Sequence, residues 1–202
     1  MLALIMAGGL GTRMNLGEKP LVTVCGRPMI SYVHEAFVDA GLEVLAVVTP
    51  KVPMTKNWCR AHGIEFFQAK GIGYVEDLSE CALEIDEDMP MFTCVADLPG
   101  ITSRIIEDVR ERWADSGMNA CSVWVPKALF MENSIKCQYS ESVDGIEACP
   151  CGLNIFDGSS PSAPQNELKI LLNEPALTFN VNTPEELKAT EEFFGKKQNN
   201  FR

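Results

Sequence analysis

Near its start the chain reads LIMAGGLGTRM, and a little further on EKPL. Gly8, Gly9 and Gly11 follow an apolar run, and Thr12 and Arg13 close the turn. Glycines in such a turn let successive backbone N–H groups converge on an anion without side-chain interference. Arg13 adds a guanidinium that can clamp a phosphate through two hydrogen bonds. Lys19, restricted by the ring of Pro20, can reach the same phosphates. The bland alternative is a tight strand-to-helix turn with a solvated arginine and a surface lysine beyond it. Asp97, in MFTCVADLPG, is the matching negative group. A carboxylate at the carboxyl end of a buried strand, beside a phosphate-binding loop, is a natural magnesium ligand. Its plainer role is a turn or cap residue ahead of Pro99.

Particular residues exclude two familiar owners of glycine loops. A dinucleotide fingerprint needs a small residue where Met14 stands, and an acid at the end of the second strand, which instead reads Val48-Thr49-Pro50. A P-loop needs a second glycine and Lys-Ser/Thr at a fixed offset, and neither Gly8 nor Gly9 has them. No Ser-His-Asp or Cys-His pairing stands in motif context, and His34 and His62 read as structural, so nucleophilic catalysis is not expected.

Regular elements must hold these groups in place. Apolar runs of strand length at residues 2–7, 44–48, 64–69, 90–97 and 120–125 alternate with helical periodicity at 28–40, 55–61, 74–83 and 101–116. This alternation predicts an α/β single domain with a mostly parallel central sheet, right-handed crossovers and helices on both faces. Regularity fades over residues 126–150, and DGSSPSAPQN is a loop by composition, with CGLNIF between them as one more strand. ALTFNV is expected to form the last strand, setting Asn180 and Asn182 on one side by the two-residue repeat. The bland role for this pair is to organise the turn into the helix that follows. Thr183-Pro184-Glu185-Glu186 reads as a capping box opening a helix that runs to about Phe194. Residues 1–125, 126–195 and 196–202 are expected to be the first half, the second half and a frayed tail of one domain.

Composition narrows the partners. With 202 residues and a net charge of −11, the chain has room for a sizeable core and lacks the basic balance of a nucleic-acid binder. No leader and no stretch of membrane-span length is recognised, so a cytoplasmic, reducing setting is expected for its eight cysteines. Cys94 and Cys121 sit in apolar runs and read as small buried hydrophobes. Cys149 and Cys151 have no second pair at zinc-finger spacing.

Taken together, LIMAGGLGTRM and EKPL resemble the signature of the Rossmann-like nucleotidyltransferases. These enzymes move a nucleoside monophosphate from an NTP to a phosphate and release pyrophosphate. CGRPMI, GYVEDL, ADLPGI and FNVNTPEEL extend the resemblance over nearly the whole length to the archaeal guanylyltransferases of cobalamin assembly, whose substrates are GTP and a corrinoid phosphate. The resemblance implies catalytic roles for Arg13, Lys19 and Asp97, with Asp97 holding Mg2+. It implies nucleotide contacts from Ala7, Gly8, Gly9, Gly11 and Thr12, and a base pocket lined by Gly71 and Gly73. Glu76 or Asp77 could accept from guanine N1–H and its amine, or both could simply favour the helix N-terminus. Gly152 and Asn154 fall on the acceptor side, and Asn180 and Asn182 at the metal's edge. Some relatives carry aspartate where Asn182 stands, so a one-metal site is implied. The irregular residues 126–150 are then a candidate lid or homodimer surface. Two alternatives stay open: transfer to molybdopterin or a sugar phosphate, and a non-catalytic nucleotide sensor.

Overall fold

The computed structural model describes residues 1–199 apart from 13, 15 and 87, with side chains described through residue 196. Arg13, a leading phosphate-binding candidate, therefore lies outside the described residues, as do residues 200–202. An eight-stranded sheet forms the centre. Its core strands are β1 (Leu2–Met6), β4 (Glu43–Val48), β5 (Phe66–Gln68) and β6 (Pro90–Val95). β1 pairs in parallel with both β4 and β6, and β5 continues the row beyond β4. The strand order therefore reverses direction between β1 and β6, which makes the crevice at their carboxyl ends the place where such sheets bind ligands.

The helices α1 (Met29–Asp39), α2 (Pro53–Ala61), α3 (Tyr74–Glu84) and α4 (Ser103–Ser116) cover both faces. Strand periodicity divides them. Ala3 and Ile5 of β1 join Val33 and Phe37 of α1, Cys59 of α2 and Ile106 of α4 in one core cluster. Leu4 points the other way, into a second cluster with Val47, Met91, Cys81 and Ala82 of α3. Gly41, with φ of 74°, takes the left-handed position that ends α1.

The second half supplies the antiparallel pairs of the mostly parallel sheet. β9 (Ile146–Asp157) is long and inserts antiparallel between β6 and β7 (Ala120–Pro126). CGLNIF is thus only the end of a twelve-residue strand. Residues 126–150, expected to lack regularity, contain α5 (Lys127–Glu132), β8 (Glu141–Val143) and the start of β9. A further strand, β10 (Glu167–Leu171), runs parallel to β7 after the predicted loop. Early in the chain β2 (Thr23–Val24) and β3 (Arg27–Pro28) form a short hairpin.

ALTFNV is not the last strand. Residues Pro175–Thr178 make a 3-10 turn, because Pro175 opens it and Leu177 N–H closes on the Glu174 carbonyl. The chain then crosses the end of β6, where Val181 N–H donates to the Asp97 carbonyl at 3.1 Å. α6 (Pro184–Asn199) follows, longer than predicted. Its capping box forms as expected: Glu186 N–H donates to Thr183 Oγ1 at 3.2 Å, and Thr183 N–H donates to the Glu186 carboxylate at 3.1 Å.

The expectation of eight reduced cysteines is also corrected. Cys137 and Cys149 form a disulfide, since the loop after α5 brings their Cα atoms to 6.2 Å against β9. The other six are free, and Cys94, Cys121 and Cys151 are buried.

Candidate active site

The glycine turn leaves β1 and folds back over Lys19. Gly11 has φ of 62°, and a Cβ there would lie 2.7 Å from the Lys19 Cβ, so only glycine allows this approach. Gly8 presses equally closely on Thr49 at the end of β4, whose hydroxyl donates to the Gly8 carbonyl at 3.1 Å. Met14, the residue that breaks the dinucleotide pattern, is buried with Val22, Val24, Met29 and Val181. Its side chain anchors the far end of the turn.

Lys19 is set by its neighbour. The Glu18 carboxylate accepts from Met54 N–H at 2.8 Å, Thr55 N–H at 2.5 Å and the Thr55 hydroxyl at 2.7 Å. Glu18 thereby satisfies open donors in the first turn of α2, where a carboxylate is favoured. The short 3-10 turn Lys19–Leu21 follows, aiming the ammonium of Lys19 across the crevice. There it forms an ion pair with Asp97 and donates to Asn182 Oδ1 at 2.6 Å. Asn182 in turn donates to the Asn180 side chain at 2.9 Å. Asn180 and Asn182 do share a site with Asp97, held by hydrogen bonds from an irregular segment instead of strand alternation. Asp97 is 6% exposed, so its interaction with Lys19 operates with little screening by water.

A cavity of about 320 Å3 opens at this point, with Gly8, Gly9, Lys19, Gly71, Gly73 and Asp77 among its walls and Asp97 at one end. The loop before α3 is braced from several sides. Asp77 Oδ1 accepts from Gly71 N–H at 2.8 Å and Ile72 N–H at 3.1 Å, and Lys51 Nζ donates to the Gly71 carbonyl at 2.5 Å. Glu76 is exposed and folds back over Gly73, where an added Cβ would lie 2.3 Å from its carboxylate.

A larger cavity of about 650 Å3 adjoins the first, sharing Lys19, Tyr74, Val95 and Asp97 with it. Phe130, Ile135, Tyr139 and the Cys137–Cys149 disulfide form its outer wall, with Lys136 as an added cation. The residues once grouped as irregular therefore build one side of this second chamber.

The other candidates fall outside these walls. Ala7 is fully buried, with its N–H on the Val47 carbonyl. Gly11 and Thr12 shape the turn without lining the cavity. Gly152, with φ of 89°, lies behind Val95, where a Cβ would come within 2.7 Å of that side chain. Asn154 pairs across the sheet with Thr93, beneath Tyr74. Sequence reasoning missed Lys51 and Tyr74. Lys51 follows a strand's carboxyl end, the position where ligand-binding groups gather, and Tyr74 stands in GYVEDL just ahead of the candidate acids Glu76 and Asp77. The phenol of Tyr74 meets Thr93 Oγ1 at 3.1 Å, and burial pushes it up to about 12, against the opposing pull of the Thr93 and Asn154 side chains.

A crevice of this kind, with a glycine turn on one lip and a carboxylate on the other, suits a nucleoside triphosphate with a second substrate beside it, and the chain is a nucleotidyltransferase. It belongs to the MobA-like NTP transferase family, whose domain matches residues 3–149. The adenosylcobinamide-phosphate guanylyltransferase of Methanocaldococcus jannaschii is 32% identical over 200 residues, spanning 94% of this chain and 95% of that protein. The 2-aminoethylphosphonate cytidylyltransferase of Lancefieldella rimae is 33% identical over 114 residues, or 48% of this chain and 42% of that protein. Among solved structures, molybdopterin-guanine dinucleotide biosynthesis protein A of Archaeoglobus fulgidus shares the fold, with a TM-score of 0.70 at 18% identity, over 97% of this chain and all of that one (100%). Among the described residues no helix is long and apolar enough to cross a membrane.

Proposed function

We propose that this enzyme transfers GMP from GTP to adenosylcobinamide phosphate, giving adenosylcobinamide-GDP and pyrophosphate. The observation that carries this reading is the likeness to the Methanocaldococcus guanylyltransferase along almost the full length of both chains. Two adjoining cavities that meet at Lys19 and Asp97 support it, since a donor nucleotide and a bulky acceptor each need a chamber.

In this mechanism the triphosphate lies along the smaller cavity, with backbone N–H groups of Gly8 and Gly9 on its phosphates, and Arg13 is assigned to the same phosphates from the sequence alone. The acceptor phosphate enters from the larger cavity and attacks the α-phosphorus, and the bond to pyrophosphate breaks. The nucleophile is already an anion, so positioning and charge stabilisation carry the catalysis and no general base is needed. Lys19 exchanges its contact with Asp97 for the α-phosphate oxygens as charge develops there.

The oxygen donors at Asp97, Asn180 and Asn182 suit a hard cation such as Mg2+. Among the described residues no three His, Cys, Asp or Glu side chains gather into a ready-made cage. A cation here would therefore be held by Asp97, the nucleotide phosphates and water. When bound it neutralises charge on the reacting phosphates. Gly71, Gly73 and Asp77 shape the base pocket in this reading, with Asp77 acting through the loop backbone it braces.

An acceptor panel tests the substrate. GTP labelled at the α-phosphorus is incubated with Mg2+, the enzyme and, in turn, adenosylcobinamide phosphate, molybdopterin and sugar 1-phosphates. Label should pass to the corrinoid. Preferential labelling of molybdopterin or a sugar would transfer the assignment to that acceptor.

A further inference from the structure

Lys19, Tyr74, Val95 and Asp97 are the walls common to both cavities, so they mark the passage between them. Lys19 and Asp97 form its charged side. Tyr74 and Val95 form an apolar side, and each is held in place from behind. The Tyr74 hydroxyl is tied down to Thr93, itself 2% exposed, on the central strand β6. Val95 rests against Gly152, where any side chain would displace it. Tyr74 nevertheless remains 42% exposed and lines both cavities, so it faces the crevice while its hydroxyl is held at the buried end.

An aromatic ring fixed at one end and exposed along its body is suited to acting as a partition. We propose that Tyr74 is a positioning residue that separates the donor nucleotide from the acceptor and leaves open only the path past Lys19 and Asp97. This rests on the transfer reaction proposed above and adds the means of alignment. The partition has two consequences. It confines the acceptor phosphate to the line of attack on the α-phosphorus. It also shields that phosphorus from water, whose oxygen would otherwise attack it, breaking the same bond to pyrophosphate and releasing GMP, with its protons passing to solvent.

Tyr74→Ala would join the two chambers. The expected result is a fall in kcat for transfer of about a hundredfold, the scale of a misplaced reactant. GTP affinity, measured by calorimetry, should change much less, because the glycine turn and the braced loop are untouched. In the absence of acceptor, hydrolysis of α-labelled GTP to GMP and pyrophosphate should rise above the wild-type rate. Tyr74→Phe keeps the ring without its tie to Thr93 and should fall between Tyr74→Ala and the wild type in both transfer and hydrolysis, whereas a purely structural defect would lower transfer and hydrolysis together. Unchanged kcat in Tyr74→Ala, or equal losses of GTP affinity and kcat, would overturn the proposal. So would hydrolysis that does not rise, and that assay needs no acceptor. Failure of the wild-type enzyme to label any acceptor would instead count against the transfer reading itself.

Discussion

Replacing Gly8 by alanine places a methyl group 2.5 Å from the Thr49 Cγ2, well inside contact distance. Gly8 is not in the left-handed region, so its backbone tolerates alanine and the collision is the whole effect. Thr49 cannot simply rotate away. It is 2% exposed, its hydroxyl donates to the Gly8 carbonyl at 3.1 Å, and it accepts from Lys51 N–H at 3.3 Å. Overpacking at such a site costs about 1–3 kcal/mol. Thr49→Ser alone removes one buried methyl, worth about 1 kcal/mol. In the double variant the colliding methyl is gone, and the nearest remaining Thr49 atoms, Cβ and Oγ1, lie at 3.5 Å from the added Cβ, an ordinary contact. Gly8→Ala with Thr49→Ser should therefore lose only about 1 kcal/mol, less than the sum of the two single changes. Urea unfolding at constant m-value measures all four proteins. Additive losses would refute the packing of the glycine turn on the end of β4.

The Cys137–Cys149 bond closes a loop with a sequence separation of 12, for which the chain-entropy estimate is about 3 kcal/mol. Cys137→Ser with Cys149→Ser should lower the unfolding free energy by up to that amount and raise KM for the acceptor more than for GTP, because the bond lines only the larger cavity; steady-state kinetics check this. His34, partly buried on α1, has its pKa lowered from 6.5 by burial, with Glu35 opposing. The unfolded chain therefore binds the proton first as pH falls. The stability conferred by neutral His34 is complete above 6.5 and is lost below it, down to the depressed folded value. His34→Gln should show a shallower fall in urea midpoint than the wild type over that window.

Much of the site could be read from residue types. The glycine turn, Lys19 and Asp97 converge because strand ends at a switch point converge, and the strand and helix alternation was visible in the apolar spacing. Asn180 and Asn182 are joined by a hydrogen bond in an irregular segment after a 3-10 turn, where the spacing pointed to a strand. The antiparallel insertion of β9 was hidden because its apolar pattern resembles that of a parallel strand, and direction is decided by the partners across the sheet. The disulfide depends on a distance between segments that no local pattern encodes. Tyr74 gives no functional signal in the sequence, because an aromatic at a helix start ordinarily signals packing, and the two cavities it lines indicate otherwise.

The most direct test of guanylyl transfer at this crevice is a product analysis with and without Asp97. Wild-type enzyme supplied with GTP, Mg2+ and adenosylcobinamide phosphate should form adenosylcobinamide-GDP, identified by mass, with one pyrophosphate per product. Asp97→Ala, checked for folding by its unfolding curve, should retain measurable GTP binding and form no product above background. Absence of the wild-type product, or turnover by Asp97→Ala at the wild-type rate, would contradict the account.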